Sequence, residues 1–193
     1  MNALNPFAQF DAWFREARAA IPVDPNAMTL ATVGHGGRPS ARIVLLKDFS
    51  DQGFVFYTNF KSQKGRELAE NPVAALCFHW RPLERQVRVE GAVERVSDAE
   101  ADAYYASRAR GSQLGAWASH QSEVLDRRET LEARVEELEK RFQGQDIPRP
   151  PFWGGFLVVP DRIEFWTSRE SRLHDRQVFL RDPSGWRTET LNP

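Results

Sequence analysis

The sequence predicts a mainly β protein with peripheral helices, its strands forming an antiparallel sheet or barrel. Three observations carry that expectation. The candidate strands follow one another mostly in hairpin order. No Gly-x-Gly-x-x-Gly or Walker loop follows a strand, which disfavours a Rossmann domain or a P-loop NTPase. At 193 residues, 41% of them hydrophobic and 11% aromatic, the chain is long enough for one domain with a real core.

The elements follow in order. Pro6 to Ala20 reads as an amphipathic helix, because Phe7, Phe10, Phe14, Ala17 and Ile21 recur at helical spacing and Pro22 and Pro25 close it. Residues 28–33 are β-rich and end in the turn Gly34-His35-Gly36-Gly37; residues 40–47 return as the second strand of a hairpin. Residues 53–58 form a third strand, and Ser62 fits the N-cap of a short helix ending near Asn71-Pro72. Val73–Trp80 is nearly continuously apolar and reads as a strand buried on both faces. Residues 85–96 alternate, with Val87 and Val89 on one face, Gln86, Arg88 and Glu90 on the other, and a bulge at Gly91. Ser97 and Glu100 have capping-box spacing and open a helix carrying Tyr104, Tyr105 and Arg108. Ser122 reads as the start of a longer helix with Leu131, Val135, Leu138 and Phe142 on one face, ended by Pro148, Pro150 and Pro151. Residues 155–159, 162–166, 177–181 and about 186–191 supply the last strands, for six to nine strands and three or four helices in all.

Charge and composition exclude several classes. Lys plus Arg is 26 against 27 for Asp plus Glu, so a generic polyanion binder is excluded and no nucleic-acid partner is expected. No apolar run reaches the roughly 18 residues of a membrane span. Residues 1–14 lack the basic and apolar regions of a secretory leader, and the lone Cys77 excludes an intramolecular disulfide, so a cytoplasmic protein is expected. His35, His79, His120 and His174 have no second ligand at metal spacing, so no metal is expected. Cys77, inside Ala-Ala-Leu-Cys-Phe-His-Trp, reads as a buried structural thiol.

What stands out is cations and hydroxyls at strand ends and helix starts. Arg42 and Lys47 bracket Ile43, Val44, Leu45 and Leu46; Tyr57-Thr58 ends the next strand, and Ser62-Gln63-Lys64 begins a helix. A helix N-terminus with a Ser and a Lys is a ready anion site. Tyr104, Arg108 and Ser112 form a second hydroxyl–cation–hydroxyl set, and Arg172-Leu-His174-Asp-Arg176 follows Phe165-Trp166. Taken singly, each has a plain reading as a solvated cation or a core tryptophan. Together, two phosphate-type sites with a His and a Trp suggest two phosphorylated small molecules held face to face. A flavin mononucleotide and a phosphorylated substrate fit, though spacing alone does not name them.

Arg42-Ile-Val-Leu-Leu-Lys47, Tyr57-Thr-Asn59, Gln113-Leu-Gly-Ala-Trp117, Ser119-His-Gln-Ser122, Phe152-Trp-Gly-Gly155 and Arg172-Leu-His-Asp-Arg176 resemble the pyridoxamine 5′-phosphate oxidase family, from about Asp24 to Trp186. The resemblance implies an FMN-binding split β-barrel homodimer: one domain over residues 1–193, with the segment from about 150 completing the dimer and the active site. It implies that Arg42, Ile43, Val44, Leu45, Leu46, Lys47, Tyr57, Thr58, Gln63 and Lys64 hold FMN, with Arg42 and Lys64 on its phosphate. Gln86, Gln121, Ser122, Trp166 and Arg176 would complete the FMN site, partly from the other subunit. Lys47, Tyr104, Arg108 and Ser112 would take the substrate phosphate, with Arg172 and His174 over the pyridine ring as the catalytic pair. The implied reaction is oxidation of the 4′-amine or 4′-alcohol of pyridoxamine or pyridoxine 5′-phosphate, with O2 as acceptor giving H2O2, in vitamin B6 salvage. Asp24 matches a family position near the substrate, although an Asp before Pro is also a common turn residue. The chain departs from the family pattern at Gln63, where Arg is usual, and at Thr190-Leu-Asn-Pro193, where Arg-Leu-x-Pro is usual. With five residues before Pro6, the basic arm that often precedes the family's first helix is not expected. A related flavin oxidase, such as the phenazine-biosynthesis homologues, and a non-catalytic flavin- or pyridoxal-phosphate-binding protein are the competing readings. The intact substrate-phosphate set favours the vitamin substrate.

Overall fold

The computed structural model describes residues 5–193; the first four residues of the stretch read for a leader lie outside them. Helix α1 (Pro6–Ala20) forms where the phenylalanine spacing predicts it. The Asn5 side chain accepts from the Phe7 and Ala8 N–H groups, and Pro6 occupies the first turn, where its missing N–H is no loss. Then come β1 (Ala27–Val33), β2 (Pro39–Leu45), β3 (Asp48–Ser50), β4 (Gly53–Asn59), α2 (Gln63–Glu70), β5 (Val73–Trp80) and β6 (Arg85–Arg95). The chain continues through α3 (Asp98–Ala106), α4 (Arg110–Ala118), α5 (Arg128–Arg141), β7 (Trp153–Thr167), β8 (Asp175–Asp182) and β9 (Gly185–Thr190).

The strands form one sheet in the order β2-β1-β5-β6-β7-β4-β3, with β8 and β9 branching from β7. All described pairings are antiparallel, as the hairpin order predicts. The fork lies in β7. Its first half pairs with β4 (Trp153 opposite Asn59, Val158 opposite Phe54) and its second half with β8, while β6 runs along its other edge. Past β2, the Lys47 N–H donates to the Val55 carbonyl at 2.9 Å, which curls the sheet toward a barrel. Inside the curl α1 supplies Phe10, fully buried and edge-on to Phe49, Phe54 and Phe78. Among the described residues no helix is long and apolar enough to cross a membrane.

The expected bulge is present: the β6–β7 register shifts at Glu90/Gly91, and a Cβ on Gly91 would lie 2.0 Å from the Val159 carbonyl oxygen. Other expectations are corrected. β5 is not buried on both faces; Ala74, Leu76, Phe78 and Trp80 are buried while Val73 and His79 are exposed, because one face of the sheet carries the core and the other a charged array. Cys77 lies on that second face and is half-buried. α3 ends at Ala106, so Arg108 sits in a turn, and α4 follows where no helix was expected, its two glycines and weak apolar pattern hiding it. Ser122 does not open a helix: it has φ 71°, and α5 begins at Arg128. The two strands expected at 155–159 and 162–166 are one, since Pro160 falls opposite Gly91, where the ladder is already interrupted. β2 stops at Leu45, leaving Lys47 beyond it.

Candidate active site

A cavity of about 640 Å³ opens between β2, β4 and the helices α2 to α4. Ile43, Val44, Leu45, Lys47, Tyr57, Thr58, Lys64, Tyr104, Arg108, Ser112 and Gln121 line it, together with Asn59 and Trp153. Local structure explains how α2 contributes. The Ser62 hydroxyl accepts from the Gly65 N–H, and Gly65 lies so close to Phe60 that a Cβ would be 2.3 Å from its carbonyl oxygen. The first turn is thereby pressed against the end of β4, and Lys64 is carried in, 8% exposed. Its ammonium is 3.4 Å from the Thr58 hydroxyl, which in turn donates to Gln121 at 3.1 Å. Burial, then the neighbouring Arg42 guanidinium, lower the Lys64 pKa from its ordinary 10.5, against an opposing pull from Glu67.

Behind Lys64 lies a polar knot. Arg42 donates to Thr32, to Ser40 at 2.6 Å and to Glu67 at 3.1 Å. Burial would raise the Glu67 pKa, but hydrogen bonds from Thr32, Ser40, Gln63 and Arg42 outweigh it and hold the carboxyl at about 2. Gln63 does not line the cavity; its amide donates to Glu67 at 2.9 Å from a separate depression. Its link to the cavity runs through Glu67 and Arg42.

The second cation group is Arg108 with Lys47. The Arg108 guanidinium lies 4.7 Å from the Trp153 ring centre and 5.7 Å from that of Tyr105. Its Nη1 is buried with no hydrogen-bond partner. The Lys47 ammonium is 6.0 Å from the Tyr104 ring, which stacks on Tyr57 at 3.9 Å. Burial, helped by the Glu100 carboxylate, pushes the Tyr57 phenol well above its ordinary range. So Tyr104, Arg108 and Ser112 meet as expected, but through a helix–turn–helix rather than one helix.

The remaining candidates stand elsewhere. Gln86, Trp166 and Arg176 form a row across β6, β7 and β8. The His174 ring lies 4.6 Å from Trp166, and its Nδ1 accepts from the Arg169 N–H at 3.1 Å. Arg172 and Ser171 have φ of 62° and 56°, two successive left-handed residues without a glycine. Arg176 donates to Glu164 at 2.8 Å; Glu164 is 1% exposed and also binds Arg88 and Arg162. Leu46 is buried in the core, Ser122 lies outside the cavity, and Asp24 sits in a turn whose carbonyl accepts from Ala27. Trp153 and Trp166 are near opposite ends of β7, a contour of about 40 Å. One chain therefore presents two half-sets rather than one complete constellation. Thr32, Ser40, Glu67, Trp153 and Glu164 belong to these sets and went unassigned in the sequence; Trp153 alone carried a signal, within the Phe-Trp-Gly-Gly segment. Among the described residues no cluster of His, Cys, Asp and Glu resembles a metal site.

Residues 14–142 match the family model described as pyridoxamine 5′-phosphate oxidase. The chain belongs to the pyridoxamine 5′-phosphate oxidase family. Residues 153–193 match that family's C-terminal dimerisation region. A pyridoxine/pyridoxamine 5′-phosphate oxidase of Myxococcus xanthus strain DK1622 is 66% identical over 98% of this chain and 92% of its own length. One from Burkholderia multivorans is 60% identical, covering 99% and 90%. The chain is accordingly an oxidoreductase of this family. Among solved structures, PhzG from Burkholderia lata 383, in complex with tetrahydrophenazine-1-carboxylic acid, superposes with a TM-score of 0.92 at 34% identity, over 98% of this chain and 93% of that one. A pyridoxamine 5′-phosphate oxidase-related FMN-binding protein from Nostoc punctiforme, 19% identical over 99% of each chain with a TM-score of 0.79, shares the fold. The mainly β, split-barrel expectation holds.

Proposed function

We propose that this protein oxidises pyridoxamine 5′-phosphate and pyridoxine 5′-phosphate to pyridoxal 5′-phosphate, with FMN as cofactor and O2 as acceptor, acting as a homodimer. The observation that carries the reading is a single cavity bordered by two cation groups whose charge the protein matches only in part. Lys64 is buried beside Arg42 with Glu67 as the only carboxylate bonded there among the described residues, and Arg108 buries an unpartnered Nη1. Burying such groups is costly unless a counter-charge arrives. Two phosphate monoesters supply it, and the cavity volume lies in the range of cofactor sites.

The residues present fit FMN. Lys64 and Arg42 would hold its phosphate, with Thr58 and Gln121 alongside, and Ile43 to Leu45 and Tyr57 would form the wall. Gln86, Trp166 and Arg176 would close the site from the second subunit, with Ser122 near its rim. Residues from about 150 onward would thus complete both the dimer and the active site of a single domain. Bound FMN supplies the two-electron acceptor.

The chain's own residues bind and orient. Arg108, Lys47, Tyr104 and Ser112 take the substrate phosphate, the guanidinium offering a bidentate fork. Because His174 Nδ1 accepts from Arg169, the neutral ring carries its proton on Nε2 and presents a donor to the substrate ring. Arg172, held in a left-handed backbone conformation, would lie over the same ring. Holding both ends of the substrate fixes C4′ for reaction. The amine consumes O2 and water and yields pyridoxal 5′-phosphate, ammonia and H2O2; the alcohol consumes O2 and yields the aldehyde and H2O2.

The PhzG likeness favours a second reading, a related oxidase of a phenazine precursor. H2O2 release with each substrate separates the two. Turnover of pyridoxamine 5′-phosphate supports the first reading; turnover of only the phenazine precursor overturns it.

A further inference from the structure

We propose that Trp153 is the positioning residue for substrate-phosphate recognition: its ring fixes the Arg108 guanidinium without using up the N–H donors that an anion needs. The proposal rests on the reading of Arg108 as a phosphate ligand. Arg108 comes from the turn between α3 and α4, and it forms no ion pair or side-chain hydrogen bond among the described residues. Its fixed neighbours are aromatic faces, Trp153 at 4.7 Å and Tyr105 at 5.7 Å. A guanidinium stacked on a π face keeps its in-plane N–H donors free. A carboxylate would orient it as well, but would occupy some of its donors and offset part of its charge. Arg42 is held in that other way, by Glu67.

Trp153 is itself held. Arg149 donates to the Trp153 carbonyl at 2.8 Å and to Asp102 and Asp98 of α3 at 2.6 and 2.7 Å. The ring lies nearly parallel to Tyr57 (5.5 Å, 11°) and Tyr104 (6.1 Å, 7°). A Cβ on Gly155 would come within 2.7 Å of the Tyr57 ring, so the glycine makes room for that stack. The Trp-Gly-Gly segment thereby builds one wall of the cavity and orients its cation.

The test is equilibrium binding of pyridoxal 5′-phosphate and of unphosphorylated pyridoxal to the holoenzyme. It is combined with KM and kcat for pyridoxamine 5′-phosphate. The variants are Trp153→Phe, Trp153→Met, Arg108→Ala and the Arg108→Ala doubles with Trp153→Met and with Trp153→Phe. Trp153→Met should weaken pyridoxal 5′-phosphate about five- to tenfold and raise KM with kcat nearly kept. Trp153→Phe should recover most of the loss, pyridoxal affinity should not change, and each double variant should bind no worse than Arg108→Ala. Equal losses for both ligands, losses that multiply in either double variant, or a Phe variant no better than Met overturn the proposal. If Arg108→Ala keeps full preference for the phosphorylated ligand, the reading of Arg108 fails instead, and this proposal with it. Should Trp153→Met not retain FMN and its fold, Trp153→Phe decides: a loss of about twofold that vanishes when Arg108 is absent supports the role, and one that persists refutes it.

Discussion

Lys64 and Glu67 share α2, and both titrate below their ordinary values for different reasons. Lys64 is lowered by burial and by Arg42, so in the free protein it loses its proton at a lower pH than an exposed lysine. If the charged form holds the FMN phosphate, affinity is kept below that pKa and lost as pH rises through it. Flavin fluorescence titrations should show the dissociation constant climbing on the alkaline side, before the ordinary lysine value of 10.5. Lys64→Arg should move the loss to higher pH; an unchanged profile would remove Lys64 from the phosphate site. Glu67 has the opposite linkage. Its carboxyl sits at about 2 against an ordinary 4.5, so it stabilises the fold above pH 4.5, and that stability is lost as pH falls toward 2. The gap is worth on the order of 3 kcal/mol at neutral pH. Glu67→Gln should therefore lower urea stability near neutrality and flatten the acid limb; a full-height acid limb in the variant would refute the assignment. Arg42 and Lys64 were legible in the sequence because cations at a strand and a helix start suggest an anion. Glu67 was not, since a glutamate on a short helix reads equally as solvated, and its burial depends on Thr32 and Ser40 from other elements.

At the scale of elements, legibility follows how local the determinant is. α1 and β5 have the bounds their residue patterns predict, because the phenylalanine period and the apolar run are local signals. α4 carries Gly111 and Gly115 and no side-chain cap, so its helix depends on packing with α5 and on Tyr105, whose hydroxyl donates to the Gln113 carbonyl at 2.8 Å. β7 looked like two strands because Pro160 normally ends one; only the partner strand reveals that the bulge absorbs it. This makes Gly91 testable. Gly91→Ala forces a Cβ toward the Val159 carbonyl, a backbone atom that cannot swing aside. The cost should be about 2–4 kcal/mol, a Tm drop of roughly 5–10 °C for a chain of this size. An unchanged Tm would mean that the register relaxes without penalty. A drop accompanied by FMN loss would link the bulge to the placement of Trp166 farther along β7.

For the molecule as a whole, the decisive fact is that the candidate residues divide between two regions of one chain. Lys64, Arg108 and their neighbours line the cavity, whereas Gln86, Trp166 and Arg176 cross the other end of β7, with Glu164 tying Arg176 to Arg88 and Arg162. The family resemblance already implies that part of the site comes from the other subunit; what the residues alone do not show is the length of β7 and the fork that lets β4 and β8 share its edge, which hold the two sets apart within one chain. The match of residues 153–193 to the family's C-terminal dimerisation region supports the proposal that the two half-sets are joined across a dimer. In a twofold dimer each active site would take Arg108 from one subunit and His174 from the other. Arg108→Ala should lose its preference for phosphorylated substrate, and His174→Ala should lose about 2–4 kcal/mol of transition-state stabilisation with FMN retained. Co-expressing the two chains under different tags then gives heterodimers in which one site carries both lesions and the other carries neither. Purified heterodimers should recover about half of the wild-type rate, and an unsorted mixture about a quarter. If Arg108 and His174 served the same site from the same chain, every site in the heterodimer would keep one lesion. Its activity would then be no more than the average of the two inactive parents, and the shared-site dimer would be refuted.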